Sequence, residues 1–203
     1  MQTSKGDIKM DKKVYSDFAV TKATVKFDKD NESSGNIVSK YMGQTGSIEE
    51  AMDARVITKK NEGVEETVSV KGLGTGELKF TGHIRWDVYQ RFFGMKFEKL
   101  KEGVYAYGKQ SVHERFALTC EVMDEYDRVS FRAYPSCIIT DGIARKIENG
   151  SDEVAQLELT IKVAPDEKGM GMYQAQEEEL KDDTIKTNWV EKFNVDDLFE
   201  AVA

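Results

Sequence analysis

Residues 114–164 read ERFALTCEVMDEYDRVSFRAYPSCIITDGIARKIENGSDEVAQLELTIKVA. Phe116, Leu118, Cys120 and Val122 share one parity, with Thr119 and Glu121 on the other. After the acidic break at Asp124–Asp127, Val129, Phe131 and Ala133 alternate with Arg128, Ser130 and Arg132. Leu157, Leu159, Ile161 and Val163 then alternate with Gln156, Glu158, Thr160 and Lys162. A strand turns successive side chains to opposite sheet faces, so this period of two predicts strands with one covered and one wetter face. A helix would scatter the same apolar groups around its circumference. Pro135 cannot donate to a ladder and predicts an edge, bend or bulge, and DEYD predicts a reversal between two strands.

Upstream, FAVTKATVKFD from Phe18 is rich in β-branched residues and predicts a further strand. Residues 54–60 and 64–72 predict a hairpin, because Asn61, Glu62 and Gly63 between them tolerate turn dihedrals. Leu78 and Phe80 fall in another short extended run, punctuated by Gly72, Gly74, Gly76 and Gly82. These glycines lack the lysine and the strand–helix setting of a phosphate loop. In EGVYAYGK, Val104 and Ala106 alternate with Tyr105 and Tyr107. Residues 28–52 carry much Gly, Ser, Asn and charge, with isolated Ile37, Val38, Tyr41, Met42 and Ile48. They predict a long loop, either solvated or ordered by a neighbouring subunit.

The helix signal is IRWDVYQRFF over 84–93, with Gly94 as terminator. At 100° per residue, Ile84, Trp86, Val88, Tyr89, Phe92 and Phe93 fill a broad apolar arc, so the helix is expected to pack on the sheet. The expected sheet core is Phe116, Leu118, Val122, Val129, Phe131, Leu157, Leu159 and Ile161. The expected organisation is a flexible arm over 1–14, a β-domain over 15–164 that includes the loop 28–52 and helix 84–93, and an acidic extension over 165–203. That extension holds 11 acids against 4 lysines, so it carries −7 of the chain's net −8. It reads either as a disordered acidic end or as an extension whose Trp189, Phe193 and Phe199 are candidates for docking on the domain or on a partner.

With 203 residues, 39% of them hydrophobic, the chain can bury a core without disulfide or metal staples. A net charge of −8 argues against tight binding of nucleic acid or of an anionic membrane. No apolar run is long enough for a membrane anchor, and neither a signal peptide nor export through one is expected. Cys120 and Cys137 are expected to be small buried residues with no assigned chemistry. His83 and His113 stand at no metal-ligand spacing, and no nucleophile–base pair is visible. No catalytic, cofactor-binding or metal-binding residue is assigned.

The extended front half, the Gly-rich strand followed by WDVYQRFFG, and the run RFALTCEVMDEYDRVSFRAYPSCIITDGIARKI…EVAQLELTIKVAPD together resemble the major tail proteins, or tail tube proteins, of long-tailed bacteriophages. The likeness is to the group from phages of Gram-positive hosts and related phage-like particles. It spans 15–168 and is strongest over 73–164. The resemblance implies a mainly β fold, an antiparallel β-sandwich or barrel-like subunit with one flanking α-helix and a long inter-subunit loop, carrying Tyr41, Met42 and Ile48. It implies hexameric rings stacked into a hollow tube in the virion tail, assembled in the bacterial cytoplasm. A tape measure protein would lie inside, a tail terminator or distal tail protein at the ends, and DNA would pass without sequence-specific binding. Two other classes fit the residues: a carbohydrate-binding or adhesin-like β-module using Trp189 or Tyr105, and a small β-rich enzyme using His83 or His113.

Overall fold

The computed structural model describes residues 16–31, 39–147, 149–150 and 154–200. The arm expected over 1–14 lies outside the described residues, as do 32–38 of the long loop. The strands are β1 (Ala19–Phe27), β2 (Lys40–Tyr41), β3 (Gly43–Asn61), β4 (Val64–Ile84), β5 (Phe116–Met123), β6 (Val129–Ile139), β7 (Leu157–Ala164) and β8 (Tyr173–Gln176). The helices are α1 (Asp28–Asn31), α2 (Trp86–Phe92) and α3 (Asp183–Glu191), with single 3₁₀ turns at Glu177–Glu179 and Val195–Leu198. The fold is mainly antiparallel β with helices flanking the sheet.

The sheet path is β2-β1-β5-β6-β7-β4-β3, with β8 added to β6. Its first and last strands are consecutive in the chain, separated by Met42 alone, so the path closes on itself as a barrel. The Met42 amide donates to Ala23 O at 2.9 Å on β1, and Met42 O accepts from Arg85 N at 2.9 Å beyond β4. The next residue, Gly43, has φ +143°, and a Cβ there would lie 2.0 Å from His83 O. Only glycine fits where strand and partner approach so closely.

β5 and β6 show how the two parities are used. Leu118 lies opposite Tyr134, Cys120 opposite Arg132 and Val122 opposite Ser130, while Thr119 lies opposite Ala133 and Glu121 opposite Phe131. The first set joins the barrel interior, where Phe116, Leu118, Cys120, Val122, Tyr134, Cys137, Leu159 and Ile161 form one buried cluster. The second set faces outward, where Ala117, Phe131 and Ala133 meet Trp189 and Phe193, with Val129 packed beside them. The expected single core is therefore two, one on each side of the same strands. Pro135 sits where β6 leaves β8, last paired at Ala133, and takes up β7, first paired at Ser136. The β5–β6 register shifts at that point, between Phe116 and Leu118.

The helix expected over 84–93 is shorter at its start. Ile84 ends β4 opposite Gly43, because the ladder to the Met42 joint runs one residue further, through Arg85 N. Val88, Tyr89, Phe92 and Phe93 are buried in the interior cluster. Phe92 meets Phe116 at 4.6 Å and Phe27 at 5.6 Å between ring centroids, plugging one end of the barrel. Trp86 departs from the packed arc: it is 47% exposed, stacked on Tyr89 and edge-on to Tyr105. The segment expected to alternate at 104–107 has no strand; Tyr105 and Tyr107 instead turn to Trp86 and Phe93.

The acidic extension is folded onto the barrel. β8 pairs with β6, α3 begins at the Asp182 cap, whose side chain accepts from Thr184 N, and Trp189 Nε1 donates to Arg132 O at 3.0 Å. Both cysteines are free and buried; burial pushes the Cys120 thiol up to about 12 and the Cys137 thiol up as well.

Three substitutions test this architecture. Gly43→Ala forces a Cβ into His83 O and is expected to cost about 3 kcal/mol of unfolding free energy in denaturant titration, a loss of the size reserved for steric conflict at special backbone sites. Trp189→Ala empties the outer core and is expected to cost about 3–5 kcal/mol, read the same way. At the β5–β6 turn, burial raises the Asp124 carboxyl, but hydrogen bonds from Arg128 N, Tyr126 N and the Arg128 side chain outweigh it and hold it below the usual range. A depressed carboxylate contributes stability above its unfolded value of about 3.9 and loses it as acid protonates the folded form. Asp124→Asn is therefore expected to be less stable than the parent at pH 7, with the difference between the two unfolding free energies shrinking as acid protonates the folded carboxylate.

Candidate functional site

The largest unpartnered feature is the hairpin of β3 and β4. Glu62 and Gly63 turn it with φ values of 49° and 84°, the two positive dihedrals of a tight hairpin whose twist suits its strands. The expected hairpin is present but far longer, because the glycine-punctuated run at 72–82 continues the same strand instead of starting another. The long loop expected over 28–52 is strand from Gly43 onward, paired residue by residue with Ile84 back to Gly76. Its bulges at Thr45/Ser47 and Met52/Ala54 break the alternation that would have marked it as extended.

β7 supports β4 only from Gly82 to Gly76. Beyond that, Val64–Thr75 pairs with β3 alone among the described residues, and at ~3.3 Å per residue this makes an arm about 40 Å long. Val56 lies opposite Val70 in its ladder, and they are 56% and 60% exposed. Val64, Val68 and Leu73 are exposed as well. The outer edge of β3 has no strand partner along the arm among the described residues. The arm's charges balance, with Asp53, Glu62, Glu65 and Glu66 against Arg55, Lys59, Lys60 and Lys71.

The arm's root is held by the chain after β7. Thr75 Oγ1 donates to Asp53 Oδ2 at 2.7 Å. A Cβ on Gly171 would lie 2.0 Å from Gly74 O, so the 165–172 segment presses directly on the arm's backbone. Asp166 shapes that segment by accepting from Lys168 N, Met170 N and the Tyr173 hydroxyl. Burial, and then the hydrogen bond to Asp166, raise the Tyr173 phenol, which stays protonated and donating.

β4 runs from the arm's tip directly into α2, so tip and helix lie at the two ends of one continuous strand. At the helix end lies a groove of about 560 Å³ whose walls include Lys29, Lys40, Lys96, Met95, Tyr105 and Val112. Arg91 also lines it, but its guanidinium is committed to Asp30 at 2.9 Å and Glu114 at 2.8 Å and lies 3.9 Å over the Phe27 ring. Burial opposes its charge, and the hydrogen bonds it donates to both carboxylates outweigh that and hold it above the usual guanidinium range. Lys40 and Lys96 carry no ion pair among the described residues.

A smaller cavity of about 260 Å³ opens where β3 leaves β1, lined by Asp17, Val20, Ile48, Cys120, Arg132 and Tyr134 among others. Its polar groups are mutually engaged: Arg132 pairs with Asp17 and lies 3.7 Å from Glu50, and the Tyr134 hydroxyl donates to Glu50 at 2.6 Å.

Of the residues named for inter-subunit contact, Tyr41 is exposed, Met42 is fully buried at the barrel joint, and Ile48 is half-buried against the interior. Of the docking candidates, Trp189 and Phe193 are buried on the outer sheet face, while Phe199 is half exposed against Tyr173 and Lys168. Trp189 is thereby withdrawn from any glycan-binding surface. His113 is enclosed by structure, with Nδ1 2.8 Å from Ile139 O and its ring edge-on to Phe93, and His83 pairs with Gln44 inside the hairpin. Among the described residues no group of three or more His, Cys, Asp and Glu side chains is placed to hold a metal.

No protein-family model and no curated protein matches the sequence. Among solved structures, the chain is similar to the sheath/tube terminator of an extracellular contractile injection system in its extended state, with a TM-score of 0.42, 8% identity, and coverage of 80% of this chain and 99% of that one. It is similar to a chain of the sheath–tube complex of such a system at a TM-score of 0.44, with 8% identity and coverage of 86% and 99%. A chain of the anti-feeding prophage baseplate gives a TM-score of 0.43, with 10% identity and coverage of 80% and 98%.

Proposed function

We propose that this chain is a structural subunit of a phage-type tail tube, self-assembling into stacked hexameric rings whose channel conducts a genome without holding it. The observation that carries this reading is the arm. A two-stranded hairpin is marginal alone in water, and this one extends roughly 40 Å past its last supporting strand with Val56, Val64, Val68 and Val70 exposed. Such a surface is stabilised when a second surface covers it, and long unprotected strand edges otherwise invite uncontrolled association. A second copy is the economical cover, because repeating one interface builds an unlimited assembly. The resemblance of residues 15–168 to tail tube proteins supports the same use. So does a net charge of −8, which weakly repels the phosphates of DNA in transit where a basic lining would retain them. The ring number, a tape measure protein within the tube and terminator or distal proteins at its ends belong to this proposal.

Electron microscopy of the purified chain tests it. Rings or tubes with six-fold symmetry are expected, and a monomer that persists across concentration and salt overturns it. The arm's part is tested by combining Val56→Lys with Val70→Glu, which replaces the apolar pair by opposite charges facing each other across the ladder. This variant is expected to keep its unfolding free energy within about 1 kcal/mol of the parent, since both sites are exposed and the new pair is attractive, and to lose its tubes.

A further inference from the structure

We infer that the groove at the α2 end of one copy seats the arm tip of the next, so that subunits join tip to groove along the direction of β4. This rests on the tube reading and names the contact that would propagate it. Geometry supplies the first reason. Tip and groove terminate the two ends of the same continuous strand and its following helix, so a contact between them is heterologous: each copy keeps one tip and one groove unused. A heterologous contact that does not close on itself continues indefinitely, as a stacked tube requires.

Charge supplies the second reason. The groove carries Lys40 and Lys96, neither with an ion pair among the described residues, and Lys29, 3.8 Å from Glu114, while its carboxylates Glu114 and Asp87 are engaged by Arg91 and by Arg85. The tip presents Glu62 at its turn and Glu65 two residues beyond Gly63, both exposed. The tip's lysines, Lys59 and Lys60, precede the turn on the other strand, and Lys60 lies opposite Glu65, leaving Glu62 at the extremity.

Shape and apolar content supply the third. Val64, 70% exposed, stands between the two acids, and the groove offers Val112, also 70% exposed, with Tyr105 and Met95 beside it. A Cβ added at Gly63 would meet nothing within 4 Å, so the turn stands in open space, free to be covered by another surface. An apolar contact ringed by opposite charges gives both burial and register, the charges chiefly selecting partner and orientation.

Charge reversal on the full chain tests this. Lys40→Glu with Lys96→Glu reverses the groove, and Glu62→Lys with Glu65→Lys reverses the tip. Each pair is expected to lower the sedimenting, tube-forming fraction by about ten-fold or more, while far-ultraviolet dichroism and thermal midpoint stay those of the parent. The chain carrying all four substitutions is expected to regain tubes. A mixture of the groove-reversed and tip-reversed chains restores both pairings, each chain's tip meeting the other's groove, and is expected to sediment as tubes of alternating copies where neither chain alone forms them. Tubes from the groove-reversed chain, or no recovery in the fourfold variant, overturn this inference and leave the tube reading standing. A parent chain that remains monomeric overturns both.

Discussion

The fold depends on the joint at Met42 and Gly43. Without it the sheet is an open ribbon whose end strands, β2 and β3, expose their edges; with it the same strands close a barrel. The joint works because three backbone demands coincide. Met42 N is satisfied by Ala23 on β1, Met42 O by Arg85 beyond β4, and Gly43 allows the chain to pass within contact of His83 O. A buried backbone group left without a partner costs about as much as a lost hydrogen bond, so a joint that pairs both groups of one residue with two different elements is strongly specified. Closing the barrel also fixes where α2 lies, since Arg85 is both partner of Met42 and the residue before the helix. The helix then fills the barrel's end with Phe92 and Phe93 against Phe27 and Phe116, and Arg91, held between Asp30 and Glu114, caps that aromatic group.

The sequence made the central strands legible because their side chains respect the pleat. Leu159, Ile161 and Val163 are buried and alternate with less buried neighbours along β7, as the alternation of residues 156–163 predicts. Pro135 marks a change of ladder partner for the reason that predicted it, the missing N–H. What alternation could not supply was which side of the sheet is the inside. Phe131 and Phe116 look like members of one core, yet the register Leu118–Tyr134 and Cys120–Arg132 sends Phe131 outward. It also sends an arginine inward, where Asp17 and Glu50 compensate its charge. Phe131 has an apolar environment only because Trp189 and Phe193, over fifty residues later, arrive to cover it. An outer layer contributed by a segment rich in Glu and Asp has no signature in local periodicity; Trp189, Phe193 and Phe199 were the signal, and the first two carry the packing.

The arm was half legible for a related reason. Its turn chemistry, Asn61-Glu62-Gly63, and its β-branched residues mark a hairpin, but its length is concealed by glycines and bulges at the root. Gly74, with φ +71°, and Gly76, where a Cβ would lie 2.7 Å from Ala51 O, look in the sequence like punctuation between separate strands. They are instead places where other backbone comes close, from β3 on one side and from Gly169–Gly171 on the other. Glycine ends strands and also permits close approach, and the sequence alone does not distinguish the two uses.

The arm also shows how a fold can expose an apolar strand pair without inviting indiscriminate aggregation through it. A long hairpin with an exposed valine pair is close to the pattern that templates indiscriminate strand addition. Here the hazard is offset by charge: Arg55, Lys59, Lys60, Glu62, Glu65 and Lys71 surround the apolar groups, so another arm laid alongside in the wrong register places like charges together. With Asp53 and Glu66 counted as well, the charges across 53–73 sum to zero, while −7 of the net charge sits in the segment that forms the outer layer. The constraint that holds the arm is the one that closes the barrel. Met42 fixes where β3 begins and Arg85 fixes where β4 ends, so both strands of the arm are anchored at the joint. A protruding strand pair on a flexible base would sample many orientations; one anchored in a closed barrel presents a single geometry, which is what the proposed assembly would require.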